Sequence, residues 1–426
     1  MKIQGRDSVE GNKFYDVHCH VMNLSHPNFL AFLRRFESTI SDQKLKIFLA
    51  ANIVIVSYLL FHSLNPKLLA KILDKVGVSR LIDRVKNLLV VMEHDAGTVF
   101  GLLEKGLRQQ LWEDGRFTIE NFHYDKIILT PLMMDFGYKN MTDPALAYNS
   151  IPVQKPIVEQ VLDLFNGIRN YYPAGETGGR VFEIYPFLGI NTANYDLSKI
   201  GTMLEKYFSG YRGTPEDLAE NLGKFNGDIE ELGSNFFSGI KVYPPLGFDP
   251  WPEQKEERKK VELLYEYCTV KHIPLTTHCS NGGYRIVDRT SADEFTSPAR
   301  WKKVLKRFPG LKINFGHLGN QGRKREWGQE IFALMEGYEH VYGDFSCRGF
   351  NDRYYRSLRE LLCRANPSLR DRLRERILFG SDFMINLLWA DSYNSYLGIF
   401  KNTPFFSAPE KHDFCSINPE RFLFHS

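Results

Sequence analysis

The stretch 273–320 reads IPLTTHCSNGGYRIVDRTSADEFTSPARWKKVLKRFPGLKINFGHLGN, and its grammar decides the fold. Two short apolar runs, IPLTTHCS (273–280) and LKINFGHLGN (311–320), each reach a histidine and then a polar or Gly-containing turn. Runs that are apolar nearly throughout suit parallel strands covered on both faces. Between them Pro298 follows Ser297, the order expected of an N-cap and the first helical position. It opens the charged amphipathic stretch ARWKKVLKRF. The unit is therefore strand, polar turn, helix, strand.

The same unit recurs along the chain. Further strand candidates are FYDVHCH (14–20), DKIILTPLMMD (125–135), VFEIYPFLGIN (181–191), FSGIKVYPP (237–245), HVYGDFSC (340–347) and RILFGSDFM (376–384). Helix candidates lie at 253–271, where Val261, Leu264, Tyr265 and Cys268 share one stripe, and at 326–338 and 352–364. Eight strands alternating with helices predict an α/β fold, a single (β/α)8 TIM barrel over 1–426. The alternative is an open doubly wound sheet, but no Gly-rich phosphate turn follows the first strand. The distance from strand one to strand two is too long for one helix. Residues 28–122 are read as a mostly helical inserted cap, and 192–236 as a smaller insertion.

Composition narrows the class. The 426 residues are 43% hydrophobic, 14% aromatic and 25% charged, which excludes a wholly disordered, collagen-like or disulfide-stapled chain. With 54 Lys+Arg against 51 Asp+Glu, the net charge of +3 gives no reason to expect nucleic acid or an acidic membrane as partner. Six cysteines without a CxxC pair suggest a reduced, cytoplasmic setting, and the N-terminal stretch lacks the apolar core of a secretory signal. The uncharged run IFLAANIVIVSYLLF (47–61) is shorter than the ~20 residues a spanning helix needs. It reads as a helix buried in the cap or at a homodimer contact, with an interfacial or partner-binding helix as the alternative.

The chemistry-bearing residues fall at strand ends. His18 and His20 alternate with Cys19, so both imidazoles face one side of strand one. His278, His317 and Asp382 end strands five, six and eight, and Lys241 lies in strand four. Taken singly, each has an ordinary structural reading: a core histidine, a helix cap, a charge pair. Together they sit where a barrel gathers its strand C-termini and builds active sites. Imidazoles and a carboxylate are ligands for zinc, with manganese or iron also suited. Tyr243 shares a face with Lys241. Arg285 and Arg348, and the run Arg323, Lys324 and Arg325, follow strands five to seven and are candidates for a substrate carboxylate. The run 323–325 also reads as a solvated charge cluster. Cys279 alternates away from His278 and is not expected to act as a nucleophile.

The order HxH, Lys, His, His, Asp on strands one, four, five, six and eight resembles the amidohydrolase superfamily, most closely its amidohydrolase-related branch. The matching pieces are DVHCH (16–20), GIKVYPP (239–245), TTHCSNGG (276–283), NFGHLGN (314–320) and ILFGSDFM (377–384); NPERFLF (418–424) resembles the closing helix. The resemblance implies that His18, His20 and Asp382 hold one divalent metal, zinc first. It implies one of two roles for the remainder. A carboxylated Lys241 would bridge to a second ion on His278 and His317; otherwise His278 joins the first ion and His317 orients substrate. Asp382 would move the proton of a metal-activated water and His317 would steady an oxyanion. The expectation is a metal-dependent hydrolase of a C–O or C–N bond in a small, possibly carboxylated molecule. A non-oxidative decarboxylase of the same superfamily is the alternative, and a non-catalytic scaffold the third reading.

Overall fold

Strand β1 (Lys13–Cys19) is buried along almost its whole length, with Phe14, Tyr15, Val17 and Cys19 all nearly inaccessible. A strand apolar on both faces needs a neighbour on each edge and cover on each side. In the computed structural model, which describes residues 13–26, 79–137, 156–173, 179–320, 326–364 and 367–424, β1 pairs in parallel with β5 (Lys126–Pro131). On its other side Val17 N–H donates to Phe379 O at 3.2 Å, Asp382 N–H donates to His18 O at 2.7 Å, and Cys19 bridges to Phe383.

Strand three of the sequence reading is broken into β6 (Phe182–Ile184) and β7 (Phe187–Gly189). Pro186 sits between them, and a residue without an N–H cannot continue a ladder. The first half pairs with β5 and the second with β8 (Gly239–Val242), while Met133 N–H donates to Phe187 O at 3.2 Å. From β8 the parallel sheet runs through β9 (Leu275–Thr277), β10 (Ile313–Phe315), β11 (Val341–Asp344) and β12 (Ile377–Leu378). Each strand candidate from the sequence is thus present, all parallel, in an α/β fold.

The helices between them obey the expected signals. Ser297 caps Pro298–Arg307, its hydroxyl accepting from Ala299 N–H, and Trp301, Val304 and Leu305 are buried on one face. Lys255–Val270 buries Val261, Leu264, Tyr265 and Cys268, the stripe read from the sequence. Asp352–Arg364 buries Tyr355, Leu358 and Leu362.

The long insertion after strand one is described from residue 79. Helices Ser79–Met92 and Ala96–Gln110 fit the helical reading. They are followed by an antiparallel meander, β2 (Trp112–Glu113), β3 (Arg116–Ile119) and β4 (Phe122–Tyr124), which that reading did not contain. The turn is Asp114-Gly115, with φ of 49° and 79°, the conformation a two-residue hairpin loop demands. The meander packs Phe117 and Tyr124 edge-on against Phe14, with centroids 5.3 and 5.6 Å away. That is the start of β1, opposite to its histidine end. Helix Ser79–Met92 lies at the histidine end instead, where Leu24 N–H donates to Met92 O at 2.9 Å. The apolar run 47–61 lies outside the described residues. Among the described residues no helix is long and apolar enough to cross a membrane.

Candidate metal centre

His18 is the penultimate residue of β1 and His20 stands one residue beyond its end. Alternation sends both rings to one side, and their centroids lie 5.4 Å apart. Both turn Nε2 towards Asp382: the distances to its Oδ1 are 3.6 Å from His18 and 3.4 Å from His20. The opposite nitrogens are engaged. His18 Nδ1 is 2.9 Å from Asp344 Oδ2, and His20 Nδ1 is 2.8 Å from the Leu132 carbonyl. Acceptors at Nδ1 keep the ring protons there, so each Nε2 offers a lone pair. His18 Nε2 is buried and has no hydrogen-bond partner among the described residues. A buried polar atom without a partner costs ~1–3 kcal/mol, so one aimed at a carboxylate and a second imidazole asks for a ligand. Donors each ~2.1 Å from one tetrahedral ion stand ~3.4 Å apart. The donor atoms of His18, His20 and Asp382 all lie within 4.8 Å of one another, and the residues fit a divalent ion.

Asp382 does not end its strand, as the sequence suggested: β12 stops at Leu378 and Asp382 lies in the following turn at φ 58°. The turn is fastened to β1. Ser381 N–H donates to Asp16 Oδ1 at 2.8 Å, and Asp16 Oδ1 also accepts His18 N–H at 3.3 Å. Glycine is needed at 380, because a Cβ there would stand 2.7 Å from His18 Cβ and 3.0 Å from Ser346 Cβ. Burial alone would raise the Asp382 carboxyl, but the His20 hydrogen bond and the neighbouring imidazoles hold it well below the usual carboxylate range.

The other two histidines form a pair beside this group. His317 sits in a tight turn at φ 63°, and its Nε2 is 3.1 Å from His278 Nδ1. His317 Nδ1 meets Ser346 Oγ at 2.9 Å, and His278 Nε2 meets the Gly282 carbonyl at 3.0 Å. Burial keeps His317 down at about 4 and His278 well below the ordinary imidazole value. Both are therefore neutral at neutral pH, the form that can bind a metal. Lys241 Nζ, in β8, is buried without a hydrogen-bond partner among the described residues, and burial lowers it to about 8 despite Asp344 and Asp382 nearby. Tyr243 packs its ring on His278 at 4.6 Å, and its Oη accepts Tyr284 N–H at 3.1 Å. Arg348 lines a cavity with His317. Arg285, next to Tyr284, does not line that cavity. Residues 323–325 lie outside the described residues.

Asp344 is the functional residue that sequence reasoning missed. It ends β11, is fully buried, and gathers His18 Nδ1 and Asn314 Nδ2 at 2.9 and 2.7 Å on Oδ2. Its Oδ1 accepts the N–H groups of His317 and Ser346 at 3.1 and 3.0 Å. Burial would raise this carboxyl; the adjacent His18 ring and its hydrogen bond hold it far down. Its donor atom, with those of His18 and His317, falls within a second 4.8 Å group. The signal was there: HVYGDFSC places an acid at a strand end, by the same logic that selected the histidines.

Residues 227–424 match the sequence model of the family described as amidohydrolase. No curated protein matches by sequence. Among solved structures, 4-oxalomesaconate hydratase from Rhodopseudomonas palustris is 13% identical, with 96% of this chain and 95% of that one covered at a TM-score of 0.44. An uncharacterized TIM-barrel protein from Bordetella bronchiseptica is 14% identical over 70% of this chain and 78% of that one, TM-score 0.41. A probable 2-pyrone-4,6-dicarboxylic acid hydrolase from Acinetobacter baumannii is 10% identical over 71% and 84%, TM-score 0.39.

Proposed function

We propose that the protein, whose residues 227–424 match the amidohydrolase family model, is a metal-dependent hydrolase on a closed eight-stranded barrel, acting on a C–O or C–N bond of a small organic molecule. The observation that carries the reading is the convergence of the His18 and His20 Nε2 atoms on Asp382 Oδ1, with His18 Nε2 buried and without a hydrogen-bond partner among the described residues. These three residues would hold a divalent ion, zinc first. When bound, such an ion supplies a Lewis acid and lowers the pKa of a coordinated water.

The chain's own residues do the rest. Asp382, kept ionised at neutral pH, accepts the proton of the attacking water and returns it to the leaving group. His317, kept neutral, would steady the oxygen on which charge develops by turning to it the Nε2–H that otherwise faces His278 Nδ1 at 3.1 Å. Asp344 and the Leu132 carbonyl hold the two ligand rings in the tautomer that presents Nε2. Lys241, buried with a lowered basicity, is suited to reaction with CO2, and a carbamate there would give His278 and His317 a second ion to share. With the amine free, the site would hold one ion.

Elemental analysis after reconstitution with zinc or manganese tests the reading. One or two ions per chain are expected, and His18→Ala combined with His20→Ala should remove at least one. Protein that takes up no metal would end the proposal. On a substrate found by screening, Asp382→Asn should lower turnover ~10²–10⁴-fold. Release of CO2 in place of a hydrolysis product would transfer the site to the decarboxylase alternative.

A further inference from the structure

Next to His317 the described residues leave a cavity of about 320 Å³ that no metal ligand candidate other than His317 lines. It opens between the turn 316–320, helix Glu326–Gly337 and helix Asp352–Arg364. Phe332, Leu358 and Leu361 make one side apolar. Arg348, Arg353 and Asn351 bring the polar groups, and no carboxylate lines the cavity. Among the described residues neither arginine has an ion pair, and Arg348 Nε is buried without a hydrogen-bond partner. That nitrogen, withdrawn from water without an acceptor among the described residues, is an unfinished contact on an otherwise half-buried side chain, and Arg353 is exposed at the mouth. Cys347, one residue before Arg348, turns the chain at φ 54°. The larger cavity, about 540 Å³ beside 21–26, has the opposite character: Glu93, Asp95 and Asp163 line it.

We propose that the cavity beside His317 seats the non-reacting end of the substrate, a small organic acid. Its carboxylate is taken by Arg348 and Arg353, and its apolar or aromatic body lies against Phe332, Leu358 and Leu361. The inference rests on the metal reading for what happens at the other end of the molecule, and it deepens that reading by naming the substrate class. Two guanidiniums suit a planar carboxylate because each presents parallel N–H groups to its two oxygens. The cavity volume is at the small end for ligand sites, ~300–1,000 Å³, which favours a compact acid over a peptide or nucleotide.

The test is calorimetric binding to the zinc-loaded full chain. The probes are a panel of small aromatic and unsaturated mono- and dicarboxylates, each paired with its primary amide. At least one acid is expected to bind ~10-fold or more tightly than its amide. Arg348→Gln and Arg353→Gln should each weaken it ~10–100-fold, the usual scale for a hydrogen bond to a charged group. Ser357→Glu, on the cavity wall, should abolish the preference for acids by placing a like charge there. Because Arg353 and Ser357 are not fully buried, these variants keep the test informative if Arg348→Gln fails to fold. Acids binding no better than amides, or acid binding unchanged in the Arg353 and Ser357 variants, would overturn the proposal. Zinc content measured on the same samples separates the two readings. Full zinc with no acid preference removes the subsite alone, whereas absence of zinc removes the metal reading and leaves acid binding to judge the subsite.

Discussion

Replacing Asp344 with Asn isolates the hydrogen bonding behind the candidate metal centre. The two side chains have the same shape, so no cavity opens. Oδ1 can remain an oxygen and keep the His317 and Ser346 N–H groups at 3.1 and 3.0 Å. The Oδ2 position then becomes an NH2 facing two former donors, His18 Nδ1 at 2.9 Å and Asn314 Nδ2 at 2.7 Å. His18 can answer only by moving its proton to Nε2, which leaves Nδ1 to accept. That puts hydrogen on the atom aimed at Asp382. Losing the partner behind a ligand imidazole costs ~10–100-fold in metal affinity, or ~1.4–2.8 kcal/mol. The fold loses two charge-assisted bonds at ~1.5–3 kcal/mol each, so the metal-free variant should be less stable by ~3–6 kcal/mol before relaxation. Folded Asp344 has a depressed pKa, so its contribution is complete above the ordinary value of ~3.9 and disappears only as pH falls through the lower folded value. At pH 7 the full effect is therefore measured. Zinc competition against a chromogenic chelator gives the affinity, and urea unfolding of the metal-free protein gives the stability. A variant that is destabilised yet binds zinc within ~2-fold of the unaltered protein would show that Asp344 supports the fold and not the ligand tautomer.

Two further outcomes follow from the same geometry and from a buried lysine. Gly380→Ala places a Cβ 2.7 Å from His18 Cβ, so the ring must shift; zinc should be lost or bound ~10-fold or more weakly, and unchanged zinc content with unchanged affinity would show that the turn has slack. Lys312, which precedes β10 and is 3% exposed, has its pKa lowered by burial from 10.5 to about 8. The unfolded chain then binds more protons than the folded one between those values, so stability should rise with pH across that window. The penalty below pH 8 is ~3 kcal/mol in order of magnitude. Lys312→Met should flatten the rise, as read by urea unfolding at pH 7.5 and 10; an unchanged slope would assign the effect to other groups.

The strands and helices could be read from the chain because each is specified locally. An apolar run of the right length, a Ser297-Pro298 start and a one-sided stripe at 261, 264, 265 and 268 act within a few residues. The Asp114-Gly115 hairpin is equally local, yet it lies inside a segment whose sequence reads as mostly helical. That His18 and His20 face one side was legible too, because alternation along β1 is a consequence of backbone geometry, whereas Asp382 lies beyond the end of β12 in a turn that the strand pattern does not announce. What needed the tertiary structure is every relation between distant parts of the chain. Nothing in Gly380 announces that His18 lies against it, and nothing in Asp344 says that it holds a ring 326 residues away. The pairing of His278 with His317 and the shared cavity of His317 and Arg348 are likewise set by how β9, β10 and β11 lie side by side. Local sequence sets the torsions that make an element. Which side chains then meet depends on the packing of many elements at once, and that sum is written in no single stretch.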